Sequence, residues 1–357
     1  MNWKKIAPVA LCSLIFGLSG SSARAQQTDW NKDMNDAASA RQRGDYSLSQ
    51  TLYKQGIALQ EKMLGPGNLE VATSLNNLAV LYQDQSLYAQ AEPLYKRSIA
   101  IWEKYPGQQT QIALCLNNLA VLYDDENAEA NAATVYERAL AIWKKTGMMG
   151  SPNAAVTLAG LADIYHSQNN DANAEPMYTQ ALAIWAKDGK MESAEAADAL
   201  YALGNIYYSQ SKKTEAKPMY THALAIWKTS GKADSTEEVS ALDNLGEIYS
   251  EQGDYAGAEP FLSQALAIQE KKLGPDDLEV ANSVSRLALL YYCEAKYNVA
   301  EPLYKRALQI RINQLGPKDP AVRQTMEFYA ALLRQEGRQL EAQEMEEQAA
   351  QNSPSRF

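Results

Sequence analysis

Apolar and polar positions along this chain of 357 residues repeat with a long period. Leu78, Leu119, Leu161, Leu203, Leu245 and Leu287 form one column, spaced 41 residues once and 42 thereafter. Four residues after each stands Tyr82, Tyr123, Tyr165, Tyr207, Tyr249 or Tyr291. A second column is alanine throughout, at Ala91, Ala132, Ala174, Ala216, Ala258, Ala300 and Ala342. Four residues beyond it come Tyr95, Tyr136, Tyr178, Tyr220 and Tyr304, with Leu262 breaking the series. Self-similarity at a fixed period of this length marks a repeat architecture, in which each unit buries its apolar face against the next.

Within one unit the period is helical twice. Leu75, Leu78, Ala79 and Tyr82 fall at i, i+3, i+4 and i+7, one face of a first helix. Ala91, Tyr95, Ser98, Ile99 and Trp102 share one face of a second. A short turn is predicted between them, clearest at Gly44-Asp45-Tyr46 and Gly253-Asp254-Tyr255, where glycine ends one helix and aspartate caps the next. The small columns, with Gly204 and Gly246 standing in the Ala79 series, let two helices approach closely while Tyr and Leu fill the space beside them. Pro93, Pro176, Pro218, Pro260 and Pro302 lie two residues beyond the alanine column. Proline removes an amide donor, so they predict a late helix start or a local kink. Both ends are more polar: Asp36 and Ala40 stand where Leu and Tyr would fall, and Glu346 replaces the last tyrosine amid Arg323, Glu341 and Glu347. Capping units of a solenoid need such polarity.

These columns resemble the tetratricopeptide repeat in its 42-residue, kinesin-light-chain-like form. The stretches LNNLAVLY (Leu75 to Tyr82) and AEPLYKRAL (Ala300 to Leu308) carry the resemblance, with the Leu-Gly-Pro connector at Leu64 to Pro66, Leu273 to Pro275 and Leu315 to Pro317. It extends over roughly residues 31 to 350 and implies an all-α fold, a right-handed superhelical solenoid of about eight antiparallel helix pairs. Gly147 to Pro152, Asp188 to Lys190 and Gly231 to Ala233 replace that connector, which leaves the linker geometry of the middle units open.

Composition narrows the function. With 2 His and 3 Cys the chain lacks the inventory for a rich metal site or a disulfide framework. The first 25 residues read as an export signal: Lys4 and Lys5, an apolar run from Ile6 to Leu18, then Ala23-Arg24-Ala25 in the pattern that signal peptidase cuts. Val9-Ala10-Leu11 before Cys12 is not a lipobox. Cleavage after Ala25 and a periplasmic or secreted location, as for an exported bacterial protein, are therefore expected, with residues 26–350 as the solenoid and 351–357 as a flexible tail. No later run is apolar for long enough to span a membrane. The net charge of −10 becomes about −13 once Lys4, Lys5 and Arg24 leave, which argues against nucleic acid or anionic lipid as a partner.

Most residues with chemical potential have structural explanations. Trp102, Trp143, Trp185 and Trp227 recur on the apolar face of second helices and read as core, whereas Gln60, Gln269 and Arg311 hold that column elsewhere and predict different packing. His166 and His222 lack the spacing and the carboxylate company of a metal pair. Cys115 and Cys293 lie four units apart, too far for a disulfide, and read as two buried thiols. No G-x-S-x-G, Walker or dinucleotide-binding glycine pattern occurs, and Asp124-Asp125-Glu126 reads as a solvated turn. No catalytic residue, metal ligand or cofactor is expected.

What remains is the opposite face of the first helices. In the family this chain resembles, that face lines the concave surface and holds extended peptides or partner helices. Here it presents Asn77, Asn118, Asp163, Asp198, Tyr201, Asn205, Tyr208, Asp243, Asn244, Glu247, Arg286 and Tyr292. Asn77, Asn118 and Asn244 match the family position whose amide often bonds a bound peptide, although asparagine there is equally ordinary packing consensus. Asp84, Asp124, Asp163, Asp198, Asp243 and Glu247 make the face acidic, with Arg286 its one clear cation. A basic or neutral polar protein segment is the expected partner, its Lys or Arg resting on Tyr201, Tyr208 and Tyr292. The chain thus reads as an exported protein–protein interaction scaffold. The alternative reading is a structural subunit of an envelope assembly without groove binding.

Overall fold

The computed structural model describes residues 21–231 and 234–351. Most of the expected export signal, residues 232 and 233 of one connector, and nearly all of the expected tail lie outside the described residues. Every regular element among the described residues is an α-helix. The described residues fall into two compact units, divided between Ala202 and Leu203. The first contains α1 (Ser21–Gln42), α2 (Tyr46–Leu64), α3 (Leu69–Asp84), α4 (Tyr88–Trp102), α5 (Gln109–Asp125), α6 (Glu129–Lys145), α7 (Pro152–Ser167) and α8 (Asp171–Lys187). The boundary falls inside α9 (Ala194–Ser209). The second unit continues with α10 (Lys213–Ser230), α11 (Thr236–Glu251), α12 (Tyr255–Leu273), α13 (Leu278–Cys293), α14 (Tyr297–Leu315), α15 (Pro320–Gln335) and α16 (Gln339–Gln351). Among the described residues sixteen helices make eight consecutive pairs, the number the repeat predicts.

The turns follow the expected chemistry. Gly44 and Gly253 take φ of 80° and 76°, a left-handed conformation that glycine adopts without strain. Next to them Asp45 accepts from the Leu48 amide at 3.1 Å and Asp254 from the Gly257 amide at 2.9 Å. The open question of the connectors is resolved as two geometries. Gly65, Gly274 and Gly316 of the Leu-Gly-Pro segments have φ of 83–88° with ψ of 152–161°, a region reserved for glycine. Gly231 closes α10 in the ordinary left-handed region, φ 73° and ψ 15°.

The proline expectation of a late start is corrected. Each of the five prolines is the sixth residue of its helix, so the helices begin well before them. The carbonyl that loses its amide donor belongs to Ala89, Ala172, Thr214, Ala256 or Asn298, and all five residues are exposed. Water can take the missing donor's place there, which removes most of the penalty.

The core confirms the columns. Trp102, Trp143, Trp185 and Trp227 are fully buried, as are the alanine column and Tyr95, Tyr136, Tyr178, Tyr220 and Tyr304. A β-carbon on Gly204 would lie 2.8 Å from the Tyr220 ring, and one on Gly246 would lie 2.5 Å from Leu262. The small column is therefore the seat of the large one. Where tryptophan is replaced, the packing differs from unit to unit: Gln269 accepts from the Ser283 hydroxyl at 2.5 Å and Arg311 donates to the Thr325 hydroxyl, whereas the side-chain amide of Gln60 is buried without a hydrogen-bond partner. Tyrosine rather than phenylalanine fills the first-helix columns because its hydroxyl has work at the rim. Tyr123, Tyr165 and Tyr291 donate to Glu92, Glu137 and Glu259 of the preceding helix at 2.7–3.0 Å. At the start of the chain Trp30, Met34, Ala37 and Ala40 form a reduced apolar face on α1. No described helix is long and apolar enough to cross a membrane.

Candidate functional site

In the first unit the expected binding residues are drawn into packing and internal bonds. Asn77 and Asn118 are buried, and the Asn76 amide donates to the Asn77 side-chain oxygen at 3.3 Å. Asp163 is half-buried on α7 and receives the hydroxyl of Tyr178. Burial and that carboxylate both push the Tyr178 hydroxyl pKa up. Asp198 and Tyr201 are half-buried on α9. Asp84 is paired with Arg41 of α1, so Arg286 is not the one cation on the acidic row.

In the second unit Asn205, Asn244 and Tyr220 come together. The Tyr220 hydroxyl donates to the Asn205 side-chain oxygen at 2.8 Å and accepts from the Asn244 amide at 3.0 Å. One tyrosine from α10 thus bridges two first helices, α9 and α11. Tyr208 packs edge-on to Tyr220 with ring centroids 6.5 Å apart, lies under Lys213 at 5.2 Å, and bonds Glu247. Burial and Glu247 together raise the pKa of its hydroxyl. Tyr292 instead packs against Tyr297, centroids 5.7 Å apart.

One period further along, this bridge is dismantled. Glu247, Leu262 and Arg286 stand where Asn205, Tyr220 and Asn244 stood. Leucine has no hydroxyl to join the other two, and both are charged and exposed. The Arg286 guanidinium reaches Asp243 instead. Asp243 is 8% exposed, and its other carboxylate oxygen has no hydrogen-bond partner. Burial, seconded by Glu279 and Glu247 and opposed by Arg286, pushes its pKa up to about 6.

Two clefts open on the two sides of this ion pair. One, of about 380 Å³, is lined by α11, the end of α12 and α13, with Asn244, Gln269, Lys272 and Glu279 among its polar groups. The other, of about 400 Å³, has an apolar floor of Leu262, Leu289 and Leu290 and an acidic wall of Glu247 and Glu251. Asp243 and Arg286 line both. The arrangement offers hydrogen-bond acceptors, negative charge and apolar surface, the requirements for gripping a polypeptide segment.

The break at Leu262 was visible in the tyrosine column, but its apolar neighbours Leu289 and Leu290 were not singled out. Cys293 was expected to be buried and is exposed in the second cleft, because α13 ends there; Cys115 is buried, and both thiols are free. His166 is bonded to Asp171 at 2.7 Å. Among the described residues, no group of three His, Cys, Asp or Glu side chains is placed to hold a metal ion.

The sequence profile of the tetratricopeptide repeat family matches residues 34–104, 70–145, 129–187, 195–271, 236–313 and 278–355. No curated protein matches the sequence. Similar solved structures include a putative kinesin light chain of Podosopora anserina with nearly identical TPR-like repeats, at 22% identity and a TM-score of 0.48 over 56% of this chain and 95% of that one. BtubC (BKLC) from P. vanneervenii is 24% identical with a TM-score of 0.50, covering 70% of this chain and 93% of its own. The apo form of the quorum sensor NprR from B. thuringiensis is 13% identical with a TM-score of 0.50, covering 91% and 99%. At these identities the likeness is one of fold.

Proposed function

The chain belongs to the tetratricopeptide repeat family, and on that premise we propose that it is an exported scaffold that binds a segment of another protein. The observation that carries the reading is the pair of clefts flanking Asp243 and Arg286, built from the first helices α11 and α13. First helices supply the binding face in the repeat type this chain resembles. Glu247, Glu251, Glu279 and Asp243 outnumber Lys272 and Arg286 in the linings, which favours a basic or neutral polar segment over an acidic one. The charged start, apolar run and Ala23-Arg24-Ala25 of the first 25 residues support export.

Selection of a displayed random-peptide library on the purified protein tests the binding reading. Enriched peptides are expected to be basic or uncharged and polar, and to bind less well above about 0.15 M salt, where exposed charges are screened. A Glu247→Lys, Glu251→Lys variant is expected to bind them more weakly. No enrichment over bare support, or equal binding by the variant, would overturn the reading and leave a structural subunit as the better account. Export has its own test: N-terminal sequencing of the protein from the exported fraction should begin at Gln26. Intact Met1 on protein retained inside the cell would refute export alone.

A further inference from the structure

The second cleft is more than a gap between helices, because its chemistry is one-sided. Its floor is aliphatic: Leu262, Leu290 and Leu289, the last 42% exposed. Its lining carboxylates are Asp243, Glu247 and Glu251, against Arg286 as the lining cation. Arg286 is itself engaged with Asp243, and Lys213 of α10 pairs with Glu251. Tyr208 bonds Glu247, and a neutral phenol leaves that charge in place. An independent observation concerns Asp243. Its side chain is more than nine-tenths buried, yet one carboxylate oxygen lacks any donor while the residue lines the cleft. A buried acceptor left unmet is rare and awaits a donor.

The repeat explains how the cleft came about. At Tyr220 the ring fills this space and its hydroxyl ties two asparagines together. Replacing that tyrosine with Leu262 removes the plug, and replacing the asparagines with Glu247 and Arg286 charges the walls. A volume of about 400 Å³ lies in the range of small-ligand sites, roughly 300–1,000 Å³. It exceeds what one amino-acid side chain occupies.

We propose that this cleft is the subsite for one basic side chain of the bound segment, a lysine or arginine whose aliphatic stem lies on Leu262, Leu289 and Leu290 and whose cation sits against Glu247 and Glu251, near the buried carboxylate of Asp243. The proposal rests on the scaffold reading and names the chemistry of one position in the partner. Long cationic side chains bury their methylenes on apolar surface while the charged head stays near carboxylates and water, and the cleft presents those two surfaces side by side. A carboxylate would meet three acids, and the guanidinium it would need is already bonded.

Cys293 lines the same cleft and is exposed, so it reports on what the cleft prefers. The folded protein is equilibrated in a 2-mercaptoethanol buffer with the disulfides of 4-aminobutanethiol, pentanethiol and 4-mercaptobutyrate. Capture at Cys293 is read by peptide mapping, with a free cysteine peptide as chemical baseline and buried Cys115 as the silent thiol. The aminobutyl group should be captured about fivefold more than pentyl, the scale of one good ion pair. That preference should fall to parity in a Glu247→Gln, Glu251→Gln variant whose melting curve matches wild type. Equal or better capture of pentyl, preferred capture of the butyrate, or an aminobutyl preference unchanged in the variant would each overturn the subsite. Enriched peptides without this preference would leave the scaffold reading standing, whereas a library that yields no binder would remove that reading itself.

Discussion

The Arg286 guanidinium donates to one carboxylate oxygen of Asp243, and the other oxygen of that carboxylate is buried without a partner. The pair is lopsided: the Arg286 side chain is 50% exposed and that of Asp243 9%. Water screens the arginine far more than the acid, so the attraction is weakened while most of the desolvation penalty of the carboxylate remains. Imbalances of this kind gather at functional surfaces, where stability is given up for recognition.

The same imbalance predicts a pH dependence. The Asp243 carboxyl sits at about 6, above its ordinary 3.8, because burial outweighs Arg286. A group whose pKa is raised by folding contributes fully below its unfolded value, and the contribution is lost as pH rises through the folded one. Asp243→Asn, neutral throughout, should therefore melt roughly 2–4 °C above wild type at pH 7.5. The gap should close as the buffer is taken from pH 6 to pH 4. A variant that melts below wild type at pH 7.5 would show that the bond to Arg286 dominates.

Gly160 lies against Tyr136: a β-carbon there would come within 2.6 Å of the ring carbon bearing the hydroxyl. Tyr136 is fully buried and its hydroxyl has no partner, since Gly160 holds the column that gives Asn244 to Tyr220. Gly160→Ala should cost about 1–3 kcal/mol through overpacking, more than the roughly 1 kcal/mol gained in helix propensity. Gly150→Ala, with nothing near its β-carbon, should be neutral. Denaturant melts of the two variants decide, and equal stability would mean that the Tyr136 ring moves aside freely.

The two thiols should differ sharply in reactivity. Cys115 is fully buried, and burial raises its pKa far above the ordinary value; Cys293 is exposed and raised less. Iodoacetamide applied to native protein should modify Cys293 within minutes and reach Cys115 only in denaturant. Comparable native rates at the two sites would show that the first unit opens locally around Cys115.

The fold was legible because a repeat states each rule many times over. One Leu-Tyr pair four residues apart is ambiguous, whereas six in register leave little room for anything but stacked helices. The late helix start expected at the prolines did not follow, because the penalty depends on whether water reaches the freed carbonyl, and the exposure of Ala89 or Thr214 is not written in their own identities. The asparagine column was ambiguous for a similar reason: Asn77 and Asn118 are buried, while Asn244 borders a cleft, and the residue type is the same. The cleft itself depends on three coordinated changes, at Glu247, Leu262 and Arg286, each of which resembles ordinary variation when read alone. Only the bonds between their counterparts Asn205, Tyr220 and Asn244, 15 and 24 residues apart in sequence, show that the three belong together.

Restoring the missing tyrosine should therefore close the cleft. Gly246 faces Leu262 as Gly204 faces Tyr220, so a ring at position 262 has the seat that the Tyr220 ring already uses. Its hydroxyl would point toward Glu247 as that of Tyr220 points toward Asn205, and a phenol donating to a carboxylate is a favourable bond. Leu262→Tyr should keep the helical spectrum and a melting temperature near wild type, because it repeats a packing solution found elsewhere in the chain. Affinity for a lysine-bearing peptide from the library should nevertheless fall about tenfold, the equivalent of losing one well-buried contact. Measured by fluorescence polarisation, the loss should spare peptides whose binding does not depend on lysine. If affinity for the lysine-bearing peptide stayed at the wild-type level in a stably folded variant, the leucine floor would have no part in recognition, and the acidic rim alone would have to carry the preference for basic segments.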